Sequence, residues 1–170
     1  VNGYLLAQSA VTGDLMLVTP TSTYWNASTL VSQNGKKIGD QGVWVLYDMA
    51  LDYSGQYAEA LDPYQSHTGT DTLFAVGWQY EGDKDGDGKD DGQNTLFQIW
   101  MSKWNAQVFV DPIAPITGTQ DGAELLTLGC TTDGGLYGID TQGKLYTVGV
   151  DGVCTYVATT DFVNELNYSG

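Results

Sequence analysis

Short runs of apolar and β-branched residues, each closed by glycine or aspartate, give this chain its pattern. In the C-terminal third four such runs follow one another: ELLTLGC, GLYGID, KLYTVGV and CTYVATT. The segments between them, TTDG, TQG and DGV, supply the residues that tight turns require. No stretch carries the 3.6-residue apolar period of a long amphipathic helix. The pattern predicts an all-β fold with a four-stranded antiparallel meander over about residues 123–160.

The middle of the chain predicts a second meander, from the runs VWVLYDMAL, TLFAVG, TLFQIW and AQVFVD. Its second strand aligns residues 73–76, LFAV, with residues 136–139, LYGI. Its third strand aligns residues 96–99, LFQI, with residues 145–148, LYTV. The connector between the aligned strands is 140–143 in one unit and 77–95 in the other. The longer connector is therefore predicted to be an enlarged hairpin loop.

The N-terminal region gives a weaker copy of the same pattern: GYLLAQSA, LMLVT and TYWNAST, with KKIGD as a candidate fourth run. We therefore interpret residues 1–170 as one all-β domain of repeat-like units. The units cover about 3–42, 43–120 and 121–160, and residues 161–170 would begin a further unit.

The segments YDMALDYSG, DTLFAVG and GGLYGIDTQGKLYTVGVDGVCTYVATT resemble the propeller-type repeats of large secreted or cell-surface proteins of bacteria. The resemblance covers about residues 43–160. It implies a β-propeller-like arrangement, an extracellular location and a place within a larger polypeptide. Because propellers close with about 4–8 blades, three units predict either a partial propeller or a sandwich.

The net charge of the chain restricts the classes of partner that we expect it to bind. It carries 21 acidic residues against six lysines, with no arginine, for a formal net charge of −15. Nucleic acids and anionic membrane surfaces are bound mainly through lysine and arginine, so neither is expected as a partner. No apolar run approaches the roughly 18 residues of a membrane-spanning helix, and we expect no membrane insertion. Strong acidity instead favours divalent cations.

The acidic charge is concentrated in residues 83–94, DKDGDGKDDGQN. Calcium loops of the EF-hand type place oxygen ligands at positions 1, 3, 5, 7, 9 and 12, with glycine at position 6. Position 6 is Gly88, and position 12 holds an asparagine where a bidentate glutamate would stand. The predicted ligands are Asp83, Asp85, Asp87, the backbone carbonyl of Lys89, Asp91 and Asn94.

The pattern D-x-D-x-D-G-x-x-D-x-x-N resembles the calcium loops of thrombospondin type 3 repeats and, in its first half, those of dockerins. This resemblance implies Ca²⁺, held without a flanking helix. The alternative is a solvated acidic turn. Structural calcium is expected rather than regulatory calcium, because no pair of helices is predicted that could reorient.

We find no pattern that predicts catalysis. His67 is the only histidine, and neither a G-x-S-x-G nucleophile motif nor a phosphate-binding loop occurs. Cys130 and Cys154 fall on the first and fourth strands of the last meander. Two intervening strands at about 4.8 Å each place them too far apart for a disulfide, so buried free thiols are predicted.

Aromatic residues allow a second function. Trp78 and Tyr80 alternate along one strand and could form a two-ring platform on which a sugar ring stacks. Trp25 and Trp104 lie at loop or strand ends and are further candidates for exposed aromatic rings. The alternative is that they pack in the core. Two functions follow: a non-catalytic, calcium-binding structural or protein-interaction module of a bacterial surface protein, or a carbohydrate-binding module. The expected partner is accordingly a protein or a glycan at the cell surface.

Overall fold

A computed structural model describes residues 5–20, 25–52, 54–57, 72–105 and 107–160. His67 and the predicted further unit at 161–170 lie outside these ranges. Apart from a 3-10 turn at Gln120–Gly122, the described residues form no helix, and so none that could span a membrane. Their strands are β1 (Leu5–Gln8), β2 (Leu15–Pro20), β3 (Trp25–Val31), β4 (Trp44–Asp52), β5 (Thr72–Gln79), β6 (Gln93–Met101), β7 (Val108–Pro115), β8 (Gly129–Cys130), β9 (Leu136–Ile139), β10 (Lys144–Val148) and β11 (Cys154–Thr159).

The strands form three antiparallel sheets in which each strand pairs with its neighbours in sequence. Sheet 1 is β1-β2-β3, sheet 2 is β4-β5-β6-β7 and sheet 3 is β8-β9-β10-β11. None of the three closes on itself. The prediction of an all-β fold with two four-stranded meanders is therefore confirmed. Tight turns between consecutive runs produce this order because antiparallel strands need only a few connecting residues.

Two of the predicted runs differ from the structure. The candidate fourth strand of sheet 1, residues 36–40, is a turn, because Asp40 accepts a hydrogen bond from the backbone N–H of Lys37 (2.8 Å) and donates its own N–H to the Lys37 carbonyl (2.9 Å). The run ELLTLGC is a strand only at its last two residues. Its leucines Leu125 and Leu128 are buried instead in the core between sheets 2 and 3.

The strand register confirms the alignment of the second and third strands. In sheet 2, Leu73 pairs with Ile99. In sheet 3, the aligned residues Leu136 and Val148 pair in the same way. The two sheets are therefore built on one repeating register, and equivalent residues face the same direction in both.

Sheet 2 lies between the other two sheets. One face packs against sheet 1 in a cluster of Leu15, Trp44, Ala75, Phe97 and Ile99. The opposite face packs against sheet 3 in a cluster of Ala50, Phe74, Val76, Leu96, Leu125, Leu128, Leu136, Tyr146, Val148 and Cys154. Successive side chains of a strand point to opposite faces of its sheet, so alternate residues of β5 and β6 pack against sheet 1 and against sheet 3.

The cysteines occupy the positions that the strand order predicted. Cys130 lies on β8 and Cys154 on β11, at opposite edges of sheet 3, and both thiols are free. Cys154 is buried, whereas Cys130 is only half-buried. Burial, with a smaller contribution from the charge of Asp140, raises the pKa of the Cys154 thiol to about 11.

Candidate metal centre

The acidic segment is the loop of the β5–β6 hairpin. The last paired residues of the hairpin are Gln79 and Gln93, and residues 80–92 form the loop between them. Gly86 and Gly88 adopt φ angles of 84° and 83°, in the left-handed region that glycine accommodates without strain. The predicted insertion into a regular hairpin is confirmed, and Gly88, at position 6 of the predicted ligand spacing, has a positive φ.

Three of the predicted ligands converge in this loop. One carboxylate oxygen from each of Asp83, Asp85 and Asp91 lies within 4.8 Å of the others, and all three residues are exposed. Two oxygens bound to one Ca²⁺ at 2.3–2.6 Å can be up to about 5 Å apart. The spacing and the hard oxygen donors therefore fit a divalent cation such as Ca²⁺.

Backbone N–H groups hold these carboxylates in place. Asp83 accepts hydrogen bonds from the N–H groups of Gly86 (2.6 Å) and Gly88 (2.8 Å). Asp91 accepts one from the N–H of Lys84 (2.6 Å), which joins the end of the loop to its beginning. The loop therefore wraps around its own carboxylates.

Asp87 and Lys89 lie beside this cluster and pair with each other. The Asp87 carboxylate accepts a hydrogen bond from the Lys89 N–H (2.8 Å). Its second oxygen lies 3.6 Å from the Lys89 ammonium group, which is itself exposed. The structure thus directs the Asp87 side chain towards Lys89 and does not include it in the group of three.

Asn94 is not brought to the acidic cluster. It is the second residue of β6 and is buried. Its amide nitrogen donates to the carbonyls of Gly77 (3.0 Å) and Leu125 (3.2 Å), and its oxygen accepts the N–H of Leu125 (2.8 Å). Strand pairing resumes at Gln93, so the next side chain points into the protein. Asn94 therefore joins the backbone of Leu125, in the segment that connects sheets 2 and 3, to sheet 2.

Asp90 is the loop aspartate that lies outside the ligand pattern and holds the base of the loop. Its carboxylate accepts hydrogen bonds from the indole N–H of Trp78 (2.9 Å) and from the backbone N–H groups of Glu81 (3.0 Å) and Gly82 (2.7 Å). Partial burial alone would raise the pKa of Asp90, but these hydrogen bonds outweigh it and the pKa lies below the ordinary 3.8. The one signal in the sequence is that Asp90 is the only loop aspartate outside the ligand spacing.

The structure places the candidate aromatic residues at different parts of the fold. Trp78 and Tyr80 lie where β5 enters the acidic loop, and both are half-buried. Trp78 pairs with Asn94 near the start of β6. At about 3.4 Å per residue, the end of β6 at Met101 lies roughly 24 Å from Asn94, and Trp104 lies beyond that end. It is 71% exposed, with the Lys103 ammonium group 5.3 Å from its ring centre. Trp25 begins β3, and its side chain is not described.

Trp78 also forms one wall of a cavity of about 340 Å³. The opposite wall is the segment that connects sheets 2 and 3, including Thr117, Thr119 and Glu124. The Glu124 carboxylate accepts a hydrogen bond from the Tyr47 hydroxyl (3.2 Å). Burial, followed by the charge of Glu124, raises the pKa of Tyr47 well above its usual value, so the phenol stays protonated as a donor.

The loop and this cavity are two features of the described residues that offer binding chemistry. The loop presents exposed carboxylate oxygens at the spacing of a cation site, and the cavity presents an indole ring beside hydroxyl and carboxylate groups.

Comparison with models of known protein families gives no match, and a search of curated proteins gives none either.

Proposed function

We propose that this chain is a non-catalytic, calcium-binding structural or protein-interaction module of an extracellular bacterial surface protein. The observation that carries the proposal is the convergence of Asp83, Asp85 and Asp91 in the β5–β6 loop. The extracellular and bacterial setting follows from the resemblance of the repeats to those of secreted and cell-surface proteins.

The donor set supports a calcium site of low affinity. Three carboxylates are fewer than the full set of an EF-hand loop, and Asn94, in place of the bidentate glutamate, is engaged in the core. Water and backbone carbonyls would complete the shell. We expect a dissociation constant of about 10⁻⁴–10⁻³ M, the range of extracellular calcium modules. Such a site fills where calcium is millimolar, which agrees with the proposed location.

The role of the ion in this proposal is local. Asp83 and Asp85 begin the loop and Asp91 ends it, so an ion shared by the three would fasten its two arms together. It would also cancel the repulsion among their three charges. This repulsion is local, because interactions between solvated charges are largely screened beyond about 10 Å. Sheet 3 lies on the other side of the core and keeps its own turns. Calcium is therefore expected to order residues 80–92 and leave 123–160 unchanged.

Calorimetry tests the site. Calcium titrated into the wild type is expected to give a saturable heat, and the double variant Asp83→Asn, Asp85→Asn is expected to give none. The asparagines keep an acceptor for the backbone N–H groups while removing charge. Asp121→Asn is the matched control, because Asp121 is exposed and adopts a φ of 58° that asparagine tolerates. Equal heats from the double variant and the wild type would remove the site.

Hydrogen exchange with and without chelator tests the role. We expect faster exchange on chelation in residues 80–92 and unchanged exchange in residues 123–160. An even loss of protection along the chain would make calcium a global folding ligand and contradict the local role.

We further propose that the three sheets represent a propeller-like stack, either a partial propeller or a sandwich. The support is that consecutive sheets pack face to face through alternating side chains of β5 and β6. Small-angle scattering that fits three radially arranged blades would favour the propeller-like form, and a fit to parallel flat layers would favour the sandwich.

Carbohydrate binding is the second candidate, and the cavity beside Trp78 favours it. An indole ring offers a stacking face, while Thr117, Thr119 and Glu124 can bind sugar hydroxyls. Saturation-transfer NMR against a set of mono- and disaccharides is the assay. Glu124→Gln and Thr119→Val are expected to weaken a specific signal, and Trp104→Ala, at the far end of sheet 2, is expected to leave it unchanged. The absence of any signal for the wild type would exclude these sugars as ligands.

A further inference from the structure

Sheet 2 shows what an inner face looks like in this protein. The face that it turns towards sheet 3 carries Phe74, Val76 and Leu96, each with no exposed surface. Ile113 of β7 packs against the same cluster. Across from them, sheet 3 contributes the residues Leu136, Tyr146, Val148 and Cys154. The interface therefore joins two different faces of the repeat, which we call the forward face of sheet 2 and the backward face of sheet 3.

The shared register identifies the forward face of sheet 3. Leu136 pairs with Val148 as Leu73 pairs with Ile99, and these four residues share the backward parity. The residues of opposite parity on β9 and β10 must then point forward. The forward residues of sheet 3 and their equivalents in sheet 2 are Tyr137 for Phe74, Ile139 for Val76 and Leu145 for Leu96.

The fourth strands extend this equivalence. In sheet 2 the β6–β7 register shifts between Leu96 and Phe97, and the shift leaves Ile113 as the extra residue. In sheet 3 the β10–β11 register shifts at the aligned place, between Leu145 and Tyr146, and leaves Val157. A bulge re-aims the side chain that it carries. Val157 is therefore the equivalent of Ile113, which packs forward.

These forward residues are largely apolar, and none of them is fully buried within the described part of the chain. Tyr137, Ile139 and Leu145 are half-buried, and Val157 is 47% exposed. None of the four belongs to the two core clusters that the described residues form. Their sheet 2 equivalents are covered by sheet 3. The surface thus repeats the chemistry of an interface without having its partner.

We propose that the forward face of sheet 3 docks another four-stranded antiparallel sheet of the same repeat, which presents its backward face. The partner's recognisable chemistry is a leucine on the second strand with an aromatic and a β-branched residue on the third, as in Leu136, Tyr146 and Val148. Two copies of this chain meeting through sheet 3 would oppose two forward faces, a combination that the observed interface does not use. The inference extends the proposed stack of sheets and rests on it and on the strand register, and it is independent of calcium.

The test extends the whole chain at its C-terminus with a second copy of residues 116–160, which supplies a backward face. We expect the extended chain to unfold in one transition at higher urea than the original chain. The added copy carries Tyr137→Phe, so that only the original tyrosine at this position is followed, and we expect its nitration rate by tetranitromethane to fall by at least about tenfold, as for a residue reached only through local opening.

A matched pair of substitutions locates the effect. Val157→Lys is expected to leave the original chain unchanged, since the side chain is 47% exposed, and to cancel the gain of the extended chain. Val153→Lys is the control, because Val153 is also 47% exposed but lies in the turn before β11. It is expected to leave the gain intact.

Two results overturn the proposal. One is an extended chain whose unfolding and Tyr137 nitration match the original, whether or not the added residues fold. The other is a dimer of the original chain in sedimentation that Val157→Lys disrupts, since the occupant of the face would then be a second copy.

Discussion

Replacement of Asp90 by alanine should destabilise the protein although Asp90 is not among the three converging carboxylates. The side chain accepts three hydrogen bonds, from the Trp78 indole and from two backbone N–H groups at the base of the loop. Alanine leaves all three donors without this acceptor. All three donors belong to half-buried residues, so water replaces the carboxylate only in part.

The magnitude follows from the number and kind of these bonds. A hydrogen bond to a charged group contributes about 1.5–3 kcal/mol, and the contributions are not additive when water can replace part of the set. We expect Asp90→Ala to lower the free energy of unfolding by about 2–3 kcal/mol, a large share of the roughly 5–15 kcal/mol of a typical domain.

Urea unfolding in chelator measures this loss, and Asp91→Ala is the matched control. Asp91 carries the same charge one residue further on, but it is exposed. Its removal takes away the acceptor of the Lys84 N–H, but at this exposed site water replaces it, so the expected cost without calcium is less than about 1 kcal/mol. With 10 mM calcium the wild type should gain about 1.4–2.7 kcal/mol for the proposed affinity, and Asp91→Ala should gain nothing. The reasoning is refuted if Asp90→Ala unfolds at the urea concentration of the wild type. It is also refuted if Asp91→Ala lowers the free energy of unfolding in chelator by more than about 1 kcal/mol.

Three further predictions concern pH, the core and the thiols. The pKa of Asp90 is depressed in the folded state, so its stabilisation is complete above the unfolded value of 3.8 and is lost as pH falls through the folded pKa; tryptophan fluorescence in an acid titration should show this change in the wild type and not in Asp90→Ala. Tyr146→Phe removes a buried hydroxyl that donates to Asp140 (2.9 Å), and urea unfolding should show a loss of about 1–3 kcal/mol; Tyr156→Phe, at an exposed site, is the control. Burial raises the pKa of both thiols, that of Cys154 to about 11, and only Cys154 is buried; iodoacetamide followed by mass spectrometry should therefore label half-buried Cys130 before Cys154, and equal rates would contradict the burial.

The sequence predicts those parts of this fold that depend on near neighbours. Strands such as β9 and β10 are joined by a four-residue turn, and the alternation of residues 136–139 and 145–148 is sufficient to predict their pairing. The spacing of Asp83, Asp85 and Asp91 likewise carries their convergence, because a tight loop brings alternate residues to its inside. The strand predicted for ELLTLGC is too long, because Leu125 and Leu128 pack into the core between sheets 2 and 3. That core forms only when the two sheets meet.

The positions of Asn94 and Asp90 could not be read from the loop pattern for a related reason. A ligand spacing counts residues, but it contains nothing about where the hairpin closes. Pairing resumes at Gln93, so Asn94 follows the alternation of β6 and not that of the loop. The contact of Asp90 with Trp78 joins residues on opposite sides of the loop. That contact is fixed by the register of β5 against β6, which becomes known only with the structure.

The two aligned hairpins suggest why the longer one can carry an ion without disturbing its sheet. In the short β9–β10 turn, buried Asp140 accepts hydrogen bonds from two backbone N–H groups, of Gln142 and Lys144, and from the hydroxyl of Tyr146. At the base of the long loop, Asp90 accepts from two backbone N–H groups and from the indole of Trp78. In each hairpin one aspartate fastens the strand ends to each other and to an aromatic side chain. Because Asp90 closes the base, the tip with its three carboxylates can change its ion or its order while β5 and β6 stay paired.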